Sequence, residues 1–301
     1  MDVVNCQTGK EVKELYETFT LKDAAGCGPI TGYHWALENP EKVVVIIHGL
    51  GELAGRYDRM NGFLQKAGMA GLSMDLRGHG LSGGKRGHCA PRGEILGDID
   101  RLIEKARELY PGVPIVFYGH SLGGNIGLDY RSRGALNQIP EAYVISAPWL
   151  LLVKPPSGAL RTLVGLLSKL APSLTIKSAI DEADLGHPDS VLPYKDHPLV
   201  HDKISMATAM ESLRIGEALA AGSHPDNGGA RDIPLLLMHG TEDKICSPEG
   251  SRRYYDTHRE GCVFIPWEGL FHEIHNGNRV SRGDEVIERM VSWIRDPKGP
   301  R

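Results

Sequence analysis

A five-residue run, Gly119-His120-Ser121-Leu122-Gly123, constrains this chain more than any other feature, because of what stands on either side of it. Residues 114–118 form a compact apolar run that reads as a buried parallel strand, and residues 122–133 then read as a helix. Strand, Gly-x-Ser-x-Gly, helix is the arrangement that lifts a serine hydroxyl onto a sharp turn at the carboxyl edge of a sheet. Glycine at 119 and 123 leaves room for that turn and for close packing of helix on strand, and Gly124 and Gly127 continue the small face of the helix. The pattern occurs again as Gly80-Leu81-Ser82-Gly83-Gly84. No strand comes immediately before that copy. No helical period follows it either, only Lys85, Arg86, Gly87, His88 and then Pro91. Ser82 therefore reads as a loop serine and Ser121 as a nucleophile.

Around this elbow, short apolar runs alternate with helical patterns. Strands are expected at residues 43–47, 71–75, 143–146, 234–239 and 262–266, and helices at 57–66, 95–109, 248–258 and 285–294. Residues 12–21 and 30–37 look like an antiparallel hairpin at the sheet edge. Such alternation predicts an α/β fold, a mainly parallel central sheet covered by helices on both faces. The stretch from 148 to 222 breaks the rhythm and exceeds any ordinary connection. Within it, residues 160–170 place Leu160, Leu163, Val164, Leu166, Leu167 and Leu170 mostly on one side of a helix, most of them expected to pack on the main domain. A second helical pattern spans 207–221. The expected organisation is a core of 1–147 and 223–301 with an inserted helical cap, or lid, at 148–222 over the sheet's carboxyl edge.

Composition narrows the function classes. In 301 residues, 41% hydrophobic and 24% charged, the chain has the make-up of an ordinary globular protein. A net charge of −4 and no long basic run argue against a nucleic-acid partner. The start of the sequence lacks a basic segment followed by an apolar one, so no signal peptide is read there. No apolar stretch approaches the roughly 20 residues that span a bilayer. Cys6, Cys27, Cys89, Cys246 and Cys262 are odd in number and show no CxxC spacing, which favours reduced thiols and a cytoplasmic location.

A serine hydroxyl is too weakly acidic to attack an ester unaided; it needs a base and a group that orients the base. In this architecture the chain order is Ser, acid, His. His239-Gly240-Thr241-Glu242-Asp243 offers two carboxylates past the strand that follows the insertion; Asp243 is favoured, because a bend first brings the chain out of the strand, with Glu242 as alternative. After the last strand stands His272, with His275 close by. His272-Glu273-Ile274-His275 lacks one residue of the His-Glu-x-x-His spacing that sets two imidazoles on one helical face, so no metal is expected. Backbone donors for a developing oxyanion are expected at the N–H of Leu122 and, in the loop His48-Gly49-Leu50-Gly51, at the N–H of Leu50. That loop has a rival reading: Gly49-x-Gly51-x-x-Ala54, with Asp75 ending the next strand, looks like a dinucleotide fingerprint. The rival leaves Ser121, Asp243 and His272 unexplained and puts two strands ahead of the supposed first one.

Taken together, these residues resemble the α/β-hydrolase superfamily, and within it the monoacylglycerol lipase and lysophospholipase group. The more specific marks are His48-Gly49-Leu50-Gly51-Glu52 with Gly55-Arg56-Tyr57, Asp75-Leu76-Arg77-Gly78-His79-Gly80-Leu81-Ser82-Gly83, His197-Pro198-Leu199-Val200-His201 and Asp243-Lys244-Ile245-Cys246. One departure follows Glu52, where the family often has histidine and this chain has Leu53. The resemblance implies a serine esterase acting on single-acyl-chain lipid esters, with no metal or organic cofactor.

The expected substrate is a monoacylglycerol or similar small lipid ester. Lysophospholipase, thioesterase and small-peptide hydrolysis are the alternatives, and a non-catalytic ligand receptor is the reading from another class. An amine substrate would call for a carboxylate pair, for which Asp181, Glu182 and Asp184 are available, although they read more simply as a solvated acidic face. Trp149, Leu150 and Cys246 are the pocket candidates. Lys154, Arg161, Lys169 and Lys177 flank the apolar cap residues with positive charge, an arrangement suited to peripheral contact with an anionic membrane.

Overall fold

A computed structural model of the chain describes residues 15–21, 28–178, 180–186, 197–276 and 282–297. Cys6, Cys27 and residues 12–14 of the expected hairpin lie outside the described residues. The rest of that hairpin forms as β1 (Glu17–Leu21) and β2 (Ile30–Trp35), paired antiparallel. Next come β3 (Lys42–Ile47), a 3₁₀ turn at Ala54–Tyr57, α1 (Asp58–Lys66), β4 (Met69–Met74), α2 (Arg92–Leu109), β5 (Ile115–His120), α3 (Leu122–Arg133) and β6 (Ala142–Ser146). The insertion holds α4 (Gly158–Leu170), β7 (Thr175–Lys177), α5 (Glu182–Leu185), β8 (Lys203–Ser205) and α6 (Met206–Ala220). The chain closes with β9 (Leu235–Gly240), α7 (Pro248–Thr257), β10 (Cys262–Trp267) and α8 (Gly283–Arg295).

Eight strands form one sheet in the order β1-β2-β4-β3-β5-β6-β9-β10, antiparallel at β1, β2 and β4 and parallel from β4 through β10. β3 lies inside it because Val43 through Ile47 are fully buried on both faces. The two-residue period then sorts the helices. Val43, Val45 and Ile47 pack in one cluster with residues of α2, α3, α6 and α7, whereas Val44 and Ile46 pack with α1 and α8 on the other face. Each such side chain contributes roughly 1.5–3 kcal/mol by leaving water.

The insertion leaves from β6 and returns to β9, which are hydrogen-bonded neighbours with Tyr143 opposite Leu235. Its last helix, α6, does not stand clear as a lid. It packs on α3 and α7 in the core layer, closely enough that a Cβ at Gly216 would lie 2.5 Å from the Leu150 carbonyl oxygen. α4 starts at Ser157, whose hydroxyl accepts from Leu160 N at 3.3 Å, and packs on α6. The expectation that most α4 leucines pack on the main domain is not met. Val164 is buried with Met206 and Met210, with Leu167 against them, while Leu160, Leu163, Leu166 and Leu170 are exposed, Leu170 at 72%. β7 and β8 form an antiparallel ribbon, β8 leading into α6, that the sequence pattern did not reveal.

Candidate active site

β5 delivers Ser121 at the carboxyl edge of the sheet in a left-handed conformation (φ 55°, ψ −116°) that a non-glycine residue adopts only under strain. The glycines around it are sterically required: a Cβ at Gly119 would sit 2.4 Å from the Gly123 carbonyl oxygen, and one at Gly123 2.2 Å from that of Ile47. Ser121 N donates to Ser146 O, and Trp149 N donates to Ser121 O, both at 3.0 Å, so the strained turn is braced from the β6 side.

Three loop ends meet there. His272 Nε2 lies 2.8 Å from Ser121 Oγ, and His272 Nδ1 lies 2.6 Å from Asp243 Oδ2. With Nδ1–H donating to the carboxylate, Nε2 is left to accept the serine proton. Asp243 Oδ1 accepts from Ile245 N at 2.8 Å and Cys246 N at 2.9 Å. Glu242, the alternative acid, is exposed, and its backbone N–H donates to Leu270 O. Burial of His272 disfavours its charged form, but Asp243, backed by Glu273 and Glu52, outweighs this and raises its pKa above 6.5. Burial would likewise raise the Asp243 carboxyl, yet the imidazoles of His272 and His239 hold it well below the usual carboxylate range.

His239 is a site residue that sequence reasoning passed over. Its Nε2 lies 3.1 Å from Asp243 Oδ2 and 3.1 Å from Cys246 O, and its Nδ1 lies 2.7 Å from Ser251 Oγ, which donates if Nε2 carries the proton. The signal was a polar residue at the carboxyl end of the apolar run Leu235-Leu236-Leu237-Met238. His120 was also missed; its ring lies 4.9 Å from that of His272 and 4.8 Å from that of His275. Burial keeps both of these flanking imidazoles neutral, pushing His120 well below its ordinary value and His275 down to about 4. His275 also stacks on Tyr57, while Glu273 turns to Arg56.

The loop after β3 lies against the nucleophile: a Cβ at Gly49 would be 3.1 Å from Ser121 Cβ, which brings Leu50 beside the elbow. Leu122 opens α3, where a backbone N–H has no acceptor within its own helix. Of the pocket candidates, Trp149 is buried and its indole Nε1 has no hydrogen-bond partner among the described residues. Leu150 is fully buried and packs against Gly216 and Gly250, the position of a core residue. Cys246 is buried with its thiol beside Ser121, and burial pushes that thiol far above its ordinary value, which disfavours the reactive thiolate. Residues 151–153 are laced to the acid loop through Ser247 N to Leu151 O at 2.8 Å and Val153 N to Ile245 O at 3.0 Å.

The competing assignments find other duties. Ser82 Oγ donates to Asp75 O at 2.6 Å and accepts from Thr31 N at 2.9 Å, holding a loop. Asp75 accepts from Tyr33 OH, Ala54 N and Leu81 N, so its oxygens are engaged within the fold rather than offered to a ribose. Asp181 caps α5 through Ala183 N. Leu53 is buried, an apolar filling where the resemblance suggested histidine. Further along the segment between β6 and β9, His201 N donates to Gly51 O at 2.9 Å and Leu185 O accepts from Glu273 N at 2.7 Å.

Comparison with known proteins finds a family and relatives for the chain. Residues 38–279 match the family model described as "Serine aminopeptidase, S33". The chain is 32% identical over 258 residues to a monoacylglycerol lipase of Mycolicibacterium smegmatis, covering 85% of this chain and 89% of that protein. It is 34% identical over 263 residues to an uncharacterized abhydrolase domain-containing protein of Dictyostelium discoideum, covering 85% of this chain but only 26% of that longer protein. The crystal structure of Paleococcus ferrophilus monoacylglycerol lipase superposes with a TM-score of 0.76 at 29% identity, covering 94% of this chain and all of that one (100%).

Proposed function

The chain belongs to the serine aminopeptidase family of α/β-hydrolases, and from that premise we propose that it hydrolyses monoacylglycerols or closely similar single-chain lipid esters. Ser121 Oγ attacks the ester carbonyl carbon while its proton passes to His272 Nε2. The backbone N–H groups of Leu50 and Leu122 receive the oxyanion. The intermediate collapses, the C–O bond to the glycerol breaks, and the proton on His272 goes to the departing alcohol. Water, deprotonated by the same imidazole, then attacks the acyl-serine and releases the fatty acid. Asp243 keeps the imidazole oriented and favours its transient charge. The observation that carries this reading is the chain of contacts at 2.8 Å and 2.6 Å from Ser121 through His272 to Asp243. The monoacylglycerol lipases among its relatives support the substrate class.

In this reading the segment 148–222 acts as the cap, rooted in the core through α6. No helix among the described residues is long and apolar enough to cross a membrane. The exposed leucines of α4, beside Lys169, suit peripheral contact with an anionic membrane from which the lipid is drawn, while the flanking Arg161 is paired with Glu217. Cys89, Cys246 and Cys262 are free thiols, in keeping with a reducing, cytoplasmic setting.

The test is a substrate panel with purified protein: a long-chain monoacylglycerol, a lysophospholipid, an acyl thioester and an amino-acid anilide. The highest kcat/KM is expected for the monoacylglycerol. Ser121→Ala should lower that rate by on the order of 10⁴ to 10⁶ with the fold intact. Preference for the anilide, or turnover that survives in Ser121→Ala, would overturn the proposal.

A further inference from the structure

Two loops bring the base and one oxyanion donor to Ser121, and they come from opposite ends of the sequence. A buried chain of charges joins them. Glu52 Oε1 accepts from Gly49 N at 2.5 Å and from Tyr57 OH at 3.0 Å, so its carboxylate is the pin around which the Leu50 turn is wound. Its Oε2 accepts from an Arg56 guanidinium nitrogen at 2.8 Å. The same guanidinium grips Glu273 at both carboxylate oxygens, at 2.8 Å and 3.1 Å. Asn276 Nδ2 completes the Glu273 carboxylate at 2.7 Å. The three charged side chains are only 4%, 7% and 5% exposed for Glu52, Arg56 and Glu273.

Glu273 directly follows His272. Resting on the hydrolytic reading above, we propose that Glu273 is a positioning residue: through Arg56 and Glu52 it locks the loop carrying the base to the loop carrying the Leu50 N–H. Ser121 itself stands on the sheet edge and needs no such support. Among the described residues no strand pairing joins the two loops; the forked guanidinium joins them, beside the hydrogen bond from Arg59 to His275 O at 2.7 Å and the stacking of His275 on Tyr57. Packing alone does not account for the arrangement. Burying three charges is expensive unless each is paired, and hydrophobic side chains of similar volume would fill the same space at equal or lower free-energy cost.

The charges also act on the base. Two carboxylates share one guanidinium, so the cluster carries a net negative charge in a site without water-like screening. The groups facing His272 are Asp243 and His239 from the β9 end, Ser121 and His120 from the elbow, Glu52 and Arg56 from the loop after β3, and Glu273 and His275 from its own loop. Of these, Asp243 is hydrogen-bonded to the imidazole, whereas Glu273 and Glu52 act on it through their charge. A negative charge here favours imidazolium, so neutralising it makes the base effective at lower pH.

Two variants separate the geometric from the electrostatic part. Glu273→Gln drops the charge and keeps one of the two acceptor oxygens that Arg56 and Asn276 engage. The acid-limb midpoint of kcat/KM should then fall by roughly half a unit to one unit, with plateau kcat within about threefold of wild type. Glu273→Ala releases Arg56, and plateau kcat should fall by about tenfold or more while KM stays within about twofold. Labelling of Ser121 by a fluorophosphonate probe should slow in parallel with kcat in each variant. A merely structural role would lower the unfolding midpoint and leave the pH midpoint and the kcat-to-KM split unchanged. If both variants keep the wild-type midpoint and plateau while Ser121→Ala is inert, this inference falls and the hydrolytic reading stands. If Ser121→Ala still turns over, that reading falls first. Should Glu273→Ala fail to fold, the midpoint of Glu273→Gln decides alone.

Discussion

Ser121 shows how one residue's strain is paid for by its neighbours' smallness, since its positive φ persists only because Gly119 and Gly123 admit the carbonyls of the turn. His272 shows the opposite economy, a buried imidazole whose ionisation is set by the carboxylates around it. Only its neutral form accepts the serine proton, so a raised pKa removes activity from a wider acidic range. The kcat/KM profile for a soluble short-chain ester should rise with pH through a midpoint above 6.5, the ordinary histidine value. A flat rate from about pH 5 to about 8 would contradict a histidine base. Ser121, Asp243 and His272 were nominated from the sequence because each follows a strand, and strand ends are visible as the close of an apolar run. His239 and the Arg56 bridge were not legible. Arg56 and Glu273 are 217 residues apart, and no local pattern announces such a contact.

At the scale of elements, the parallel strands were legible as short, mostly apolar runs, with β-branched residues filling β3 from Val43 to Ile47. The β7–β8 ribbon was not, since its strands are three residues each and pair across the insertion, with Lys177 opposite Lys203. α4 makes a different point. Helical period reveals that one face is apolar but not what covers it, and here α6 covers only the side of Val164 and Leu167. Leu163, 51% exposed, therefore reports on the outer face without disturbing the packing beneath. Leu163→Asp should weaken binding to anionic vesicles and lower turnover of vesicle-borne long-chain ester by roughly three- to tenfold, while hydrolysis of a soluble butyrate ester stays within about twofold. Vesicle sedimentation and parallel assays on the two substrates measure this. Equal losses on both substrates would remove the lipid-docking role from α4.

Across the whole molecule, the buried histidines make stability a function of pH. His48, His79 and His120 are buried and His275 is half-buried, and loss of water contact lowers each one's pKa, to about 4 for His48 and His275. An imidazole whose folded pKa is depressed contributes stability that is complete above its unfolded value near 6.5 and declines as pH falls towards the folded value, because the unfolded chain takes up the proton first. Each such group adds a slope of up to about 1.4 kcal/mol per pH unit in that window, and His272, shifted the other way, offsets part of it. The urea midpoint should therefore drop markedly between pH 7.5 and pH 5, and an unchanged midpoint would refute the assignment of these imidazoles as neutral. The pairing of β6 with β9 closes the sheet across the point where the chain between them leaves and returns, so the strand order holds without that stretch, whereas α6, packed on α3 and α7, belongs to the core layer itself.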